Sequence, residues 1–162
     1  MFHLFTKKRK LGKTIDQLKI GEKIEISKEI QDKEILLYLG FSEDANPIYI
    51  QHDYASRTPY GKPIVPHIML HGLVSSAIST YLPGPGSSIN KISFSYPKPL
   101  YHYETLYLKM EIVSIDENKH TALLHVIGKN ELESIVMQGE VEVSPPYPWK
   151  PMTHDAGNFD NF

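Results

Sequence analysis

The most restrictive pattern in the chain begins at Pro66. Met69, Leu70, Leu73, Val74, Ala77, Ile78, Tyr81 and Leu82 recur at spacings of three and four residues, the period of one helix face. Pro66 stands where a helix can begin, because the amide hydrogen it lacks has no helical partner there. Pro83-Gly84-Pro85-Gly86 ends the run. A helix with so wide an apolar face must be covered by another layer. Residues 90–96, 106–115 and 121–127 read as strands. Residues 134–143 read as a fourth, with Val136, Gln138, Glu140 and Glu142 opposed to Ile135, Met137, Val141 and Val143, and an irregularity near Gly139. Asp116-Glu117-Asn118-Lys119 and Gly128-Lys129-Asn130 supply hairpin turns. One long helix followed by antiparallel strands predicts an α+β fold, with the sheet wrapped around the helix.

Upstream, residues 23–30 alternate polar and apolar and predict a half-buried strand. Ile35, Leu36, Tyr38 and Leu39 place a helix over 31–41, with Gly40 near its end. Residues 42–47 read as a loop, and Asp53 as the cap of a short helix through Arg57, ended by Pro59 and Gly61. A length of 162 residues suits one domain spanning 1–162. Its core is expected at about 14–143, between a basic tail at 1–13 and an extended proline-rich tail at 144–162. The formal net charge of -2 argues against general nucleic-acid binding. The absence of cysteine excludes a disulfide scaffold, a thiol nucleophile and thiolate-ligated metals. No apolar run approaches the roughly 20 residues of a membrane helix. Lys7-Lys8-Arg9-Lys10 follows a very short apolar start, the reverse of a secretory signal, so a cytoplasmic protein is expected.

Three segments can carry chemistry. Asp44-Ala45-Asn46-Pro47-Ile48-Tyr49 is followed by Gln51-His52-Asp53-Tyr54-Ala55. Gly61-Lys62-Pro63-Ile64-Val65-Pro66-His67-Ile68-Met69-Leu70 opens the long helix. Leu82-Pro83-Gly84-Pro85-Gly86-Ser87 precedes Ser93-Phe94-Ser95-Tyr96-Pro97-Lys98-Pro99. By themselves Asp44 and Asn46 are ordinary turn formers. In their order and spacing, the segments resemble the MaoC-like dehydratase family and its (R)-specific enoyl-CoA hydratase branch, over about residues 23–143.

The resemblance implies a hot-dog domain and a hydro-lyase. Its substrates would be 2-enoyl or 3-hydroxyacyl thioesters of coenzyme A or acyl carrier protein. It implies no cofactor, because the thioester itself activates the double bond. It places Asp44 on the catalytic aspartate, Asn46 on the asparagine that shapes the loop, and Ser75 on a serine bordering the site. Backbone amides at the start of the central helix would receive the thioester carbonyl. Pro66-His67-Ile68 stands where His-Gly-Met is usual, and a second alignment matches His67 to that histidine, so the donor amide is left open between His67 and Ile68. Tyr49 falls on the catalytic histidine. A phenol titrates near pH 10 and an imidazole near 6.5, so tyrosine is a poor base at neutral pH. It can still donate a hydrogen bond or position water, and Asp44 could act as both base and acid.

Tyr49 also opens a second reading, a non-catalytic acyl-thioester-binding subunit or sensor. A thioesterase is a third, since one fold hosts several chemistries. An unpaired sheet edge and the family's habit predict a homodimer, or a heterodimer for a binding subunit. His67, His71, Ser75 and Ser79 form a polar stripe facing a cavity or a partner. Two histidines four apart can share a metal, but Ile68 stands where a zincin motif needs glutamate, so no metal site is assigned. His52 is a second candidate for the missing histidine. Arg57, Lys62, Lys91, Lys98 and Lys129 are candidates for the coenzyme A phosphates, although scattered basic residues are usually solvated surface.

Overall fold

Four of the five strands follow the long helix, and their alternation explains why they cover it. The computed structural model describes residues 10–148. The elements are β1 (Lys23–Glu29), α1 (Asp32–Ser42), α2 (Pro47–Ile50), α3 (His52–Ala55), α4 (His67–Thr80), β2 (Ser88–Ser95), β3 (Thr105–Asp116), β4 (Thr121–Lys129) and β5 (Ile135–Ser144). The strands form one antiparallel sheet in the order β1-β3-β4-β5-β2. β3 buries Leu106, Leu108, Met110 and Ile112, and β4 buries Ala122, Leu124 and Val126. Those rows join Leu70, Val74, Ala77 and Ile78 of α4 in one hydrophobic cluster. Each such leucine, isoleucine, valine or methionine side chain contributes about 1.5–3 kcal/mol on full burial, so the helix and the sheet stabilise each other.

Several local expectations need correction. Only residues 43–46 lie between α1 and α2; Pro47, placed in the loop by composition, is the first residue of a helical turn. α3 ends at Ala55, and its N-cap is Gln51, with Asp53 inside the first turn. In β5, Val136 is buried rather than outward. The β4–β5 pairing steps from Gly128↔Met137 to Lys129↔Ile135, so Val136 is the extra residue of a bulge and turns inward. Gly139 has another reason to be glycine: a Cβ there would lie 2.0 Å from the Ser93 carbonyl oxygen across the β2–β5 pair.

The bonded body also exceeds 14–143. The Gly12 and Lys13 amides donate to the Pro85 and Pro83 carbonyls, each at 2.8 Å. A Cβ on Gly12 would come within 2.2 Å of the Pro83 oxygen, so glycine permits this approach. At the other end, His120 Nε2 lies 2.8 Å from the Pro145 carbonyl oxygen, and Tyr147 stacks on the His120 ring at 3.8 Å. The rest of both expected tails, 1–9 and 149–162, lies outside the described residues. Among the described residues no helix is long and apolar enough to cross a membrane.

Candidate active site

α1 ends on Glu43, whose φ of 56° turns the chain out of the helix. Asp44 Oδ1 then accepts from the Asn46 amide at 3.2 Å, and Asn46 Oδ1 accepts from the Ile48 amide at 3.1 Å. Asn46 is thereby the N-cap of α2, and Pro47 fits the first turn because it has no amide hydrogen to leave unpaired. Ser42 accepts from the Asp44 amide at 3.3 Å. Asp44 and Asn46 thus perform the turn work their residue types favour. One carboxylate oxygen of Asp44 is used in the turn, and the other is not.

Tyr49 follows on α2, partly buried. Burial pushes its phenol above the ordinary tyrosine value, and the charges of Asp44, Tyr38 and Tyr60 push the same way. Tyr49 thus feels groups from the loop, from α1 and from the segment before α4. Tyr38 and Tyr60 were not among the sequence-derived candidates. Helical spacing marked Tyr38 only as a packing residue, and nothing local marks Tyr60.

The start of α4 is brought alongside by backbone bonds. The Ile64 amide donates to the Ile48 carbonyl at 3.1 Å, and the Val65 amide to the Leu100 carbonyl at 2.8 Å. Pro66 is the N-cap and offers no side-chain acceptor. The amides of His67 and Ile68 consequently form an uncapped, positive helix end. Ser75 lies two turns further along, partly buried.

Residues 16–134 match the family described as MaoC like domain. The chain belongs to the MaoC-like family. It is 28% identical to an (R)-specific enoyl-CoA hydratase of Aeromonas caviae over 129 residues, covering 80% of this chain and 96% of that one. It is 26% identical to a 3-hydroxybutyryl-CoA dehydratase of Methylorubrum extorquens, covering 81% of this chain and 83% of that one. The solved structure of the R-hydratase PhaJ1 from Pseudomonas aeruginosa superposes with a TM-score of 0.78 at 25% identity, over 85% of this chain and 88% of that one. The fold is therefore the α+β hot-dog arrangement of MaoC-like proteins, with the sheet around α4.

Within this MaoC-like domain the remaining candidates separate. His67 stacks on Tyr96 with ring centroids 4.1 Å apart, and His71 hydrogen-bonds the Tyr96 hydroxyl and meets Phe94 edge-on at 5.1 Å. The first half of the polar stripe thus faces aromatic side chains at the end of β2, while Ser79 is exposed. Burial lowers the pKa of both histidines, His71 adding to the effect on His67, and burial raises that of Tyr96. All three are neutral at pH 7. His52 is exposed and lies beside His102, not among the groups acting on Tyr49. Lys62 sits 4.5 Å from the centre of the Tyr101 ring, Lys98 reaches Ser134 at 3.3 Å, and Lys129 pairs with Glu133 at 2.8 Å. Among the described residues no group of three or more His, Asp or Glu side chains is arranged to hold a metal.

Proposed function

We propose that this MaoC-like protein is a hydro-lyase for acyl thioesters, adding water to a 2-enoyl thioester or removing it from an (R)-3-hydroxyacyl thioester. The observation that carries the reading is the bond from Ile64 to Ile48. It draws the Asp44–Tyr49 loop beside the chain that leads into the uncapped amides of α4. The names of the relatives, hydratases and a dehydratase of coenzyme A thioesters, support the same chemistry. The handle is coenzyme A or acyl carrier protein.

In the hydration direction Asp44 accepts a proton from water as the oxygen bonds to C3. The C2–C3 π electrons move to the thioester oxygen, and the amides of His67 and Ile68 stabilise the resulting enolate. The Asp44 carboxyl then returns a proton to C2. Tyr49, kept protonated by its raised pKa, donates a hydrogen bond to the water and does not act as its base. Asn46 holds the loop, and Ser75 borders the acyl chain. The protein acts as a homodimer, since β1 and β2 end the sheet with one paired side each.

The test is hydration of crotonyl-CoA by purified protein. Asp44→Asn is nearly isosteric but cannot carry the proton, so it is expected to lose at least about 10²-fold in kcat with the fold intact by circular dichroism. Activity that survives this change rules out the assignment. A tyrosine at position 49, where the resemblance implies the catalytic histidine, favours one second reading, an acyl-thioester-binding subunit completed by a catalytic partner. That reading predicts acyl-CoA binding without turnover, and a heterodimer.

A further inference from the structure

The segment between α3 and α4 carries Arg57 and Lys62, two of the basic residues that are candidates for the coenzyme A phosphates. The structure separates them from the others. Lys129 is paired with Glu133 at 2.8 Å, Lys98 reaches the Ser134 hydroxyl at 3.3 Å, and Lys91 stands opposite Glu142 in the β2–β5 register. Among the described residues, Arg57 and Lys62 have no carboxylate within ion-pair distance.

The two cations flank one tight turn. The Gly61 amide donates to the Thr58 carbonyl at 3.1 Å, a closure that brings the ends of such a turn within about 7 Å. Gly61 has a φ of 74°, which glycine adopts without a side-chain clash. The Thr58 hydroxyl donates to the Ala55 carbonyl at 2.6 Å and accepts from the Tyr60 amide at 3.3 Å. Tyr101 fixes the far side: its hydroxyl donates to the Tyr60 carbonyl at 2.7 Å, and it pairs with Ile64 in an isolated antiparallel bridge. Lys62 Nζ lies over the same Tyr101 ring, 4.5 Å from its centre. A lysine held on an aromatic face has less side-chain freedom left to lose when it meets an anion.

We propose that the turn from Arg57 to Lys62 binds the phosphate at the far end of the pantetheine arm, the group that coenzyme A and acyl carrier protein have in common. The proposal rests on the hydro-lyase reading for the place of the thioester. The bonds from Ile64 to Ile48 and from Val65 to Leu100 run the chain from the turn past the Asp44–Tyr49 loop to the start of α4. Five residue steps lead from Lys62 to His67, a span of at most roughly 17 Å. The arm from a thioester carbon to its nearest phosphorus is a zigzag of about a dozen single bonds of about 1.5 Å, so its extended length is roughly 15 Å. A thioester whose carbonyl rests on the amides of His67 and Ile68 therefore carries its phosphate as far as the turn. The guanidinium of Arg57 offers paired donors to two phosphate oxygens, and the Lys62 ammonium adds a point charge.

The experiment measures hydration of crotonyl-CoA, crotonyl-phosphopantetheine and crotonyl-pantetheine by wild type, Arg57→Gln, Lys62→Gln, the double variant and Lys62→Arg. On the two substrates that carry phosphate, KM is expected to rise about fivefold in each glutamine variant and about 20-fold in the double variant, with kcat within about twofold. Lys62→Arg keeps both the charge and the stacking and should stay within about twofold of wild type. On crotonyl-pantetheine, which has no phosphate, all five proteins should share one KM within about twofold. Equal KM values for wild type and the double variant on crotonyl-CoA overturn the proposal. So does an equal rise on crotonyl-pantetheine, which marks a general disturbance of the turn. A rise confined to crotonyl-CoA also overturns it, because the cations then meet the nucleotide end. Crotonyl-acyl carrier protein separates the two sources of the phosphate: the double variant should lose the same factor there, and no loss overturns the shared-phosphate assignment. A wild type that turns over no enoyl thioester refutes the hydro-lyase reading alone. Calorimetric binding of butyryl-CoA and butyryl-pantetheine to wild type and the double variant then decides the phosphate site by the same ratios.

Discussion

The Asp44 loop and the His67–His71 face of α4 contain similar chemistry held by different means. In the loop, the Asp44 carboxyl group is placed by backbone bonds and turn caps, and Tyr49 follows on the four-residue α2. On α4, two imidazoles and the Tyr96 phenol are placed by stacking and by one side-chain hydrogen bond, on a 14-residue helix packed against the sheet. The second arrangement holds titratable groups neutral against other rings. The first leaves one Asp44 carboxylate oxygen out of the turn bonds, in a loop that Ile48 ties to the chain leading into α4. On the reading proposed above, the proton is carried at the loop and not by the histidines of α4.

The comparison can be broken by exchanging the chemistry of the two regions. Tyr49→His would return an imidazole to the loop, and a rise of about 10²-fold in hydration rate is expected, within the range general acid–base groups supply. No gain in kcat would mean that the α2 backbone does not aim residue 49 at the water. His71→Phe keeps the ring packing and removes the imidazole. Its kcat is expected to stay within about threefold of wild type, whereas loss of the 10²–10⁴-fold effect of a general base would move proton transfer from the loop to α4.

Smaller effects sharpen the contrast. Tyr96→Phe removes the hydroxyl bonded to His71 and should cost about 1 kcal/mol in denaturant unfolding, with kcat unchanged. The pH dependence of stability should follow the buried imidazoles. His67, His71 and His102 have folded pKa values below the unfolded value of about 6.5. Below that pH the unfolded chain binds more protons, so stability is full above about pH 6.5 and declines as pH falls toward the folded values. Melting temperatures between pH 8 and pH 5 should show this decline, and the double change His67→Phe, His71→Phe should flatten it. A steeper acid loss in the double variant would contradict the assigned direction.

Much of this molecule is legible locally. The spacing from Met69 to Leu82 determined the central helix, alternation determined β3 and β4, and the Asp44–Pro47 run determined a turn whose residue types cap their own backbone. These features depend on neighbours within a few positions, so periodicity and turn chemistry reveal them. The inward turn of Val136 escaped because a bulge is a relation between two strands. The influence of Tyr38 and Tyr60 on Tyr49, and the packing of Tyr96 over His67 and His71, arise only on folding. Their partners lie outside any one helix or strand, and their local patterns are those of ordinary packing or turn residues. Which polar groups share a low-dielectric space, and so shift one another's protonation, is a property of distance in three dimensions that a one-dimensional pattern does not carry.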